Sequence, residues 1–455
     1  MSFVSHSALT KSLCVCSALF VGSINADAEK VSWPKVNTTL QPDNAIERQL
    51  DTLLASMTIE QKVAQLIQPE IGYLSVAQMR KYGFGSYLNG GNTAPYGQKQ
   101  ADAKTWLKYA DEMYAASVDS SEDGSSIPTI WGTDAMHGHS NVYGATLFPH
   151  NIGLGAARDA DLIHRIGQAT AKEVAATGIE WMFAPTVAVV RDDRWGRTYE
   201  SFSEDPDVVA AYAGPMVTGV QGEIGDTFLT DYRRIATAKH FVGDGGTENG
   251  IDRGDTVATE QVLRDIHAAG YYTAIAAGVQ SVMASFNSWN GKRVHGDRYL
   301  LTDVLKEQMG FDGFVISDWN AHKFVDGCDL EQCAAAFNAG VDVMMVPEHF
   351  EAFYHNTLQQ VKDGVIATPP LSHKLLPGIT RQILLAILAK HSSIKVEERD
   401  ISEAEVLAAD EIWLTSSSKE IAPVLYVNDK PVGNGEVGDV WLAVQQLFST
   451  YKFDY

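Results

Sequence analysis

Several apolar runs of this chain end in groups able to do acid, base or hydrogen-bonding chemistry, and the clearest is GFVISDWNAH, Gly313 to His322. Phe314 to Ser317 are apolar or small, as a short buried strand requires, and the run stops at an acid and an aromatic, Asp318 and Trp319. A buried strand that delivers a carboxylate at its C-terminal end is a common way for a parallel α/β scaffold to present a catalytic group. A helix-capping aspartate is the bland reading of the same spacing. Other runs end comparably: WGTDAMHGH delivers Asp134, and RDDRWGRTYESFSEDP carries Trp195 and Arg197. AKHFVGDGG carries Lys239 and His240, and SFNSWNG closes a further run.

These residue types suit a neutral polyol. Carboxylates, Lys, Arg and His hydrogen-bond adjacent hydroxyls, and indole rings cover the apolar faces of a sugar ring. Asp134, Arg197, Lys239, His240, Trp195 and Trp319 supply that inventory. Taken singly, Arg197 reads equally as a surface ion pair, His240 as a core histidine and Trp319 as a rim plug; jointly, those readings require coincidence. The sequence shows no metal-binding triad, no Gly-rich phosphate loop before a helix and no nucleophilic Ser or Cys in an elbow. Neither metal nor cofactor is therefore expected.

The elements that must position these groups follow from periodicity. Short apolar runs fall near residues 64–68, 84–88, 128–133, 180–185, 235–241, 280–286, 311–317 and 341–346. Helical spacing is expected from Ala45 to Ile67, with Thr58 capping a second helix, and over 160–177, 207–221, 259–278, 298–309 and 331–339. Eight strand-like runs alternating with helices predict a (β/α)8 TIM-like barrel; a doubly wound open sheet is the alternative. In a barrel every one of these run ends meets at the C-terminal mouth.

The 455 residues imply more than one domain unless one is a large barrel. A formal net charge of -22 repels polyphosphate and anionic membrane surfaces, which argues against nucleic acid as a partner. Residues 1–28 read as a signal peptide, with Lys11, an apolar run from Leu13 to Ile24, and Ala26 and Ala28 spaced for cleavage. That run is too short to span a bilayer, and no other stretch spans one, so a soluble, exported chain, periplasmic or extracellular, is expected. Cys14 and Cys16 leave with the signal. Cys328 and Cys333, in GCDLEQC, are close enough to bridge a surface loop.

The segments WGTDAMHGH, FPHNIGLGAARD, RDDRWGRTYESFSEDP, AKHFVGDGGT and GFVISDW closely resemble, in this order and spacing, the N-terminal barrel of glycoside hydrolase family 3. Its exported bacterial β-glucosidase and exo-β-glucanase members are the most similar. The resemblance implies retaining hydrolysis of β-glucosides or β-glucan oligosaccharides, with Asp318 as nucleophile. It also implies that Asp134, Arg158, Arg197, Lys239 and His240 hold the glucosyl unit, with Trp319 beside it. Many relatives carry Tyr where this chain has Phe286, so a phenol hydroxyl is missing there. Retention needs a second carboxyl about 5–5.5 Å from the nucleophile. In the multidomain relatives this is a Glu from a C-terminal α/β domain.

Near residue 361 the text changes. Residues 362–455, from KDGVIATPPLSHKLLPGIT to the TSS run and beyond, resemble the C-terminal part of class IV, pyridoxal-phosphate-dependent aminotransferases. The expected organisation is a signal over 1–28, a barrel over 29–361 and a C-terminal α/β fragment over 362–455. In that second family Gly378, Ile379, Thr380, Thr415, Ser416 and Ser417 help bind the cofactor phosphate. The Schiff-base lysine belongs to upstream sequence this chain does not have, so transaminase activity is not expected. The helix from about Ile379 to Lys390 is expected to cover the groove left by a barrel-closing helix due after Gly364. The expected outcome is a β-glucosidase-like barrel with impaired proton donation, Glu248 or Glu348 being the candidate substitutes. A sugar-binding pseudoenzyme or inactive chimera is the alternative.

Overall fold

The computed structural model describes residues 31–91, 93–363, 365–369, 378–392, 394–407, 409–416 and 419–455. The expected signal over residues 1–28 lies outside them, and Trp33–Tyr455 form one unit.

Eight short strands form the barrel: β1 (Ile67–Gln68), β2 (Ser86–Asn89), β3 (Ile130–Thr133), β4 (Trp181–Met182), β5 (Ile235–Phe241), β6 (Ser281–Ala284), β7 (Phe314–Ile316) and β8 (Met344–Met345). Strands β2 to β7 lie side by side in chain order, all parallel, and β8 pairs with β1 in parallel register, Ile67 opposite Met344. Two bridges close the ring. Glu70 pairs with Leu88, where Ile71 N donates to Leu88 O at 2.9 Å, and Ile316 pairs with Val343, where Ser317 N donates to Val343 O at 2.9 Å. Every expected run thus contains or adjoins a barrel strand, and the open-sheet alternative is excluded. Buried on both faces, these strands need no alternation of polarity. Leu88, Trp181, Phe183, Met283, Ile316 and Met345 fill the interior as one apolar plug.

The helices pack outside. Thr58 caps helix Ile59–Gln65 through a capping box with Gln61. Helix Asn44–Ser56 forms as its spacing predicts, yet Ile46, Leu50, Leu53 and Leu54 remain exposed. The helix expected over 331–339 begins only at Ala334. The Cys328–Cys333 disulfide ties the preceding loop, and Cys333 is non-helical at φ -165.

Two expectations at the end of the barrel are corrected. The closing helix is present before Gly364, as Phe350–Asp363, with the rings of Phe350 and Tyr354 packed on Phe84 at 5.7 and 5.9 Å. Helix Ile379–His391 therefore finds no vacant groove there. Its Leu384, Ile387 and Leu388 instead share a separate core with Ile421, Val444 and Phe448. Around that core lie the parallel pair Val365–Thr368 and Lys395–Glu398, the hairpin Ile412–Ser416 and Glu420–Val424, and helix Asp439–Tyr451. Among the described residues no helix is long and apolar enough to cross a membrane.

Candidate active site

The strand ends converge as ring closure requires. Asp318 leaves the end of β7, and three contacts fix it. Its Oδ1 accepts the Trp319 amide at 2.7 Å, its Oδ2 lies 3.6 Å from His240 Nε2, and its own amide donates to His295 Nε2 at 3.1 Å. Burial raises the Asp318 pKa above the ordinary carboxylate value; the charges of Arg197 and Lys239 and the Trp319 amide offset part of that, while Asp134 adds to it.

Lys239 and His240 come from β5, and both are buried. The Lys239 ammonium pairs with Asp134 Oδ1 at 3.2 Å, which joins the ends of β5 and β3. Arg197 reaches in from the loop after β4. Its Nε and Nη2 each meet a Glu200 oxygen at 2.7 Å, and Nη2 also donates to His240 Nε2 at 3.1 Å. Burial opposes the Arg197 charge, but the Glu200 carboxylate outweighs it and raises the guanidinium pKa. Burial likewise opposes ionisation of Glu200, yet the bonds from Arg197 prevail and lower its pKa. The fork-to-fork geometry explains why.

Behind His240 sits Asp244, whose Oδ2 is 2.8 Å from His240 Nδ1. With Arg197 donating to Nε2, the ring proton resides on Nδ1 and points at Asp244. Burial pushes Asp244 up to about 7, and burial with the neighbouring cations Arg197 and Lys239 holds His240 far below its ordinary value.

Trp319 is half-buried and leans on the interior plug. A Cβ at Gly90, at the end of β2, would lie 2.7 Å from its Cζ3. The bare backbone at Gly90 thus makes room for the indole. Trp195 is buried, its Nε1 donating to Asp252 at 3.3 Å. The Phe286 ring faces His295, with centroids 6.3 Å apart, and the Arg253 guanidinium lies 4.2 Å over it.

Asp134, Arg197, Lys239, His240, Asp318 and Trp319 therefore share one site. Arg158 stands apart from them: exposed, it ends helix Asn151–Ala157 in the left-handed conformation at φ 55. Among the described residues no hydrogen bond or ion pair ties its guanidinium to the cluster. Glu348 spends both oxygens on Asn320 Nδ2 at 3.0 Å, and Glu248 is exposed on the turn Glu248–Gly250. Sequence reasoning missed Glu200, Asp244 and His295. The first two follow their partners by three and four residues and were open to inspection; His295 had no local signal.

Residues 58–376 match the glycosyl hydrolase family 3 N terminal domain, and residues 330–427 match amino-transferase class IV. An exo-1,3/1,4-beta-glucanase from a Pseudoalteromonas species superposes with a TM-score of 0.73 at 79% identity, over 73% of this chain and 42% of that one. The lysosomal beta glucosidase of Dictyostelium discoideum is 31% identical over 66% of this chain and 39% of its own length. The periplasmic beta-glucosidase of Salmonella typhimurium is 29% identical over 73% of this chain and 40% of its own. The chain thus spans about two fifths of the length of these curated relatives.

The aminotransferase match implies pyridoxal phosphate, which the described residues do not fit. Thr415 is exposed on its hairpin strand, and the Lys395 and Lys452 ammoniums are held by Glu397 and Glu420 at 2.7 and 2.6 Å. Arg381, beside the helix start at Gly378, is taken by Glu398 at 2.8 Å. Ser417 lies outside the described residues. The profile match over most of the chain and the barrel carrying Asp318 at its mouth agree: this chain belongs to glycosyl hydrolase family 3.

Proposed function

We propose that this chain hydrolyses terminal β-D-glucosyl residues of β-glucosides or β-glucan oligosaccharides with retention of configuration. The observation that carries the reading is the Asp318 carboxylate at the end of β7, oriented by the Trp319 amide and faced by Arg197, Lys239 and His240. The names of the similar proteins, β-glucosidases and an exo-β-glucanase, support the substrate class.

In this reading the Trp319 amide holds Oδ1, and Oδ2 attacks the anomeric carbon as the aglycone oxygen departs. A covalent glucosyl ester on Asp318 results; water then attacks the same carbon, gives up a proton to solvent, and releases glucose and the carboxylate. Asp134, Lys239, His240 and Arg197 hold the sugar hydroxyls, and the Trp319 indole covers one face of the ring. Positive charge from Lys239 and Arg197 stabilises the Asp318 carboxylate whenever it is freed. We assign the barrel to residues 29–361, the C-terminal fragment to 362–455 and the signal to 1–28, with an exported chain as the consequence.

The departing oxygen needs a proton. The segment after the barrel matches an aminotransferase rather than the family's acid-bearing domain. Turnover of unactivated glucosides depends on what supplies that proton, and Glu348, bound to Asn320, is not a free donor. That replacement also favours a second reading, a sugar-binding protein without turnover.

Incubation with a 2-fluoro glucoside bearing a dinitrophenyl leaving group separates the two, since fluorine slows breakdown of the ester and the leaving group needs no acid. Intact mass rises by one sugar, mapped to Asp318, if the nucleophile works. A folded chain that binds glucose without a mass gain leaves the binding protein.

A further inference from the structure

His295 lies on the turn Val294–Gly296, which follows a small hairpin of Ser288–Trp289 and Lys292–Arg293. It is 2% exposed and touches two barrel strand ends at once. Nδ1 is 2.8 Å from the Ser285 carbonyl, just beyond β6, and Nε2 is 3.1 Å from the Asp318 amide, just beyond β7. A carbonyl only accepts and an amide only donates, so one protonation state satisfies both contacts: a neutral ring with its proton on Nδ1 and a lone pair on Nε2.

We infer that His295 is a positioning residue for Asp318, its imidazole acting as a strut that ties the nucleophile's main chain to the end of β6. The inference rests on the nucleophile assignment above. Neighbouring amides have other partners: Ser317 N donates to Val343 O, and Trp319 N to Asp318 Oδ1. Between them the Asp318 amide has His295 as its acceptor. Without that acceptor a buried N–H is left to compete for the Asp318 carboxylate or to drag the loop toward another oxygen.

The strut is held on every side. Ser285 N donates to Phe241 O on β5, so the carbonyl that receives the Nδ1 proton belongs to an anchored peptide. The Phe286 ring packs against the imidazole, itself wedged between Phe324 at 6.1 Å and the Arg253 guanidinium at 4.2 Å. A Cβ at Gly296 would meet Val325 at 2.7 Å, so the turn carrying His295 is pressed against the segment that follows Asp318. Burial, with lesser contributions from His322 and Arg293, keeps the ring neutral by holding its pKa at about 3.

The test measures the parent chain, His295→Leu and His295→Gln by two readouts: the rate of covalent trapping with the 2-fluoro dinitrophenyl glucoside, and the Kd for glucose by calorimetry. Leu removes the acceptor, whereas Gln offers an amide oxygen near the place of Nε2. We expect Leu to slow trapping about a hundredfold, Gln to restore about tenfold of that, and the glucose Kd to stay within about threefold in both, because displacement of a reacting atom by an ångström costs rate more than affinity. Trapping by Leu as fast as by the parent, or glucose affinity falling in step with trapping, overturns the inference while leaving the nucleophile assignment intact. Failure of the parent to label at Asp318 overturns both. If neither variant folds, neutron diffraction from the parent decides: a deuteron on Nδ1 alone supports the strut, and a deuteron on Nε2 removes it.

Discussion

Asp318 Oδ2 lies 3.6 Å from His240 Nε2, and that nitrogen already accepts from Arg197 at 3.1 Å. The imidazole therefore faces the carboxylate without a charge of its own. Stabilisation of the ionised Asp318 falls to Arg197 and Lys239, the two cations that lower its pKa against burial. His240 shapes the pocket, its Nε2 lone pair taken by Arg197 and its tautomer set from behind by Asp244.

Asp318→Asn removes the attacking oxygen and keeps the volume. Turnover of dinitrophenyl glucoside is expected to fall on the order of a thousandfold or more, with the glucose Kd nearly unchanged. Burst kinetics and calorimetry on one preparation check both halves.

Leaving-group dependence reports the proton donor. Without a positioned acid, alkyl glucosides and cellobiose should lag activated aryl glucosides by about a hundred- to ten-thousandfold beyond their intrinsic difference. A steep Brønsted plot of kcat/KM against leaving-group pKa is the expected result; a flat one reveals an acid supplied from elsewhere.

Glu200→Gln leaves the Arg197 guanidinium with a neutral partner, although Glu200 accepts two bonds from it at 2.7 Å. Arg197 is 27% exposed in its side chain, so the loss in stability should be below the roughly 3–5 kcal/mol of a broken, fully buried pair. Urea unfolding measures that loss, and a raised KM for aryl glucosides shows that Arg197 has moved.

Acid stability is set partly by histidines held neutral. Burial lowers the pKa of His139 to about 4, from an ordinary 6.5. The unfolded chain takes up a proton there that the folded chain refuses, so this stability is complete above pH 6.5 and is lost as pH falls toward 4. Between pH 6.5 and 5 the loss is about 2 kcal/mol for one such group. His139→Gln, which keeps a polar group facing Thr177 Oγ1, should flatten the pH dependence of the urea midpoint by that amount over the same window.

Gly90→Ala tests the indole. The added methyl would lie 2.7 Å from the tip of Trp319, so the ring must shift from its place beside Asp318. We expect glucose to bind about tenfold more weakly with the fold retained, read by calorimetry and by near-ultraviolet circular dichroism of the tryptophans.

What the sequence determined by itself was the set of buried runs and their endings. Three of the barrel strands, β1, β4 and β8, are only two residues long, yet the apolar runs around them placed them, because burial on both faces is a property of the run itself. The motifs around Asp318, Lys239 and His240 named the family for the same reason: each is contiguous. The close pair Cys328 and Cys333 was legible too, being five residues apart.

Only the tertiary structure decided which endings meet. Lys239 reaches Asp134, and His295 reaches Asp318, because ring closure brings strand ends together that periodicity treats as unrelated. Arg158 sits in an equally suggestive motif but ends a helix at the surface, in the left-handed conformation. Helix Ile379–His391 has the apolar pattern to cover a barrel, and the pattern cannot tell which groove is open; the earlier helix Phe350–Asp363 already filled that place. A periodic stripe states that a face is buried, whereas its partner is settled by what the rest of the chain has already covered.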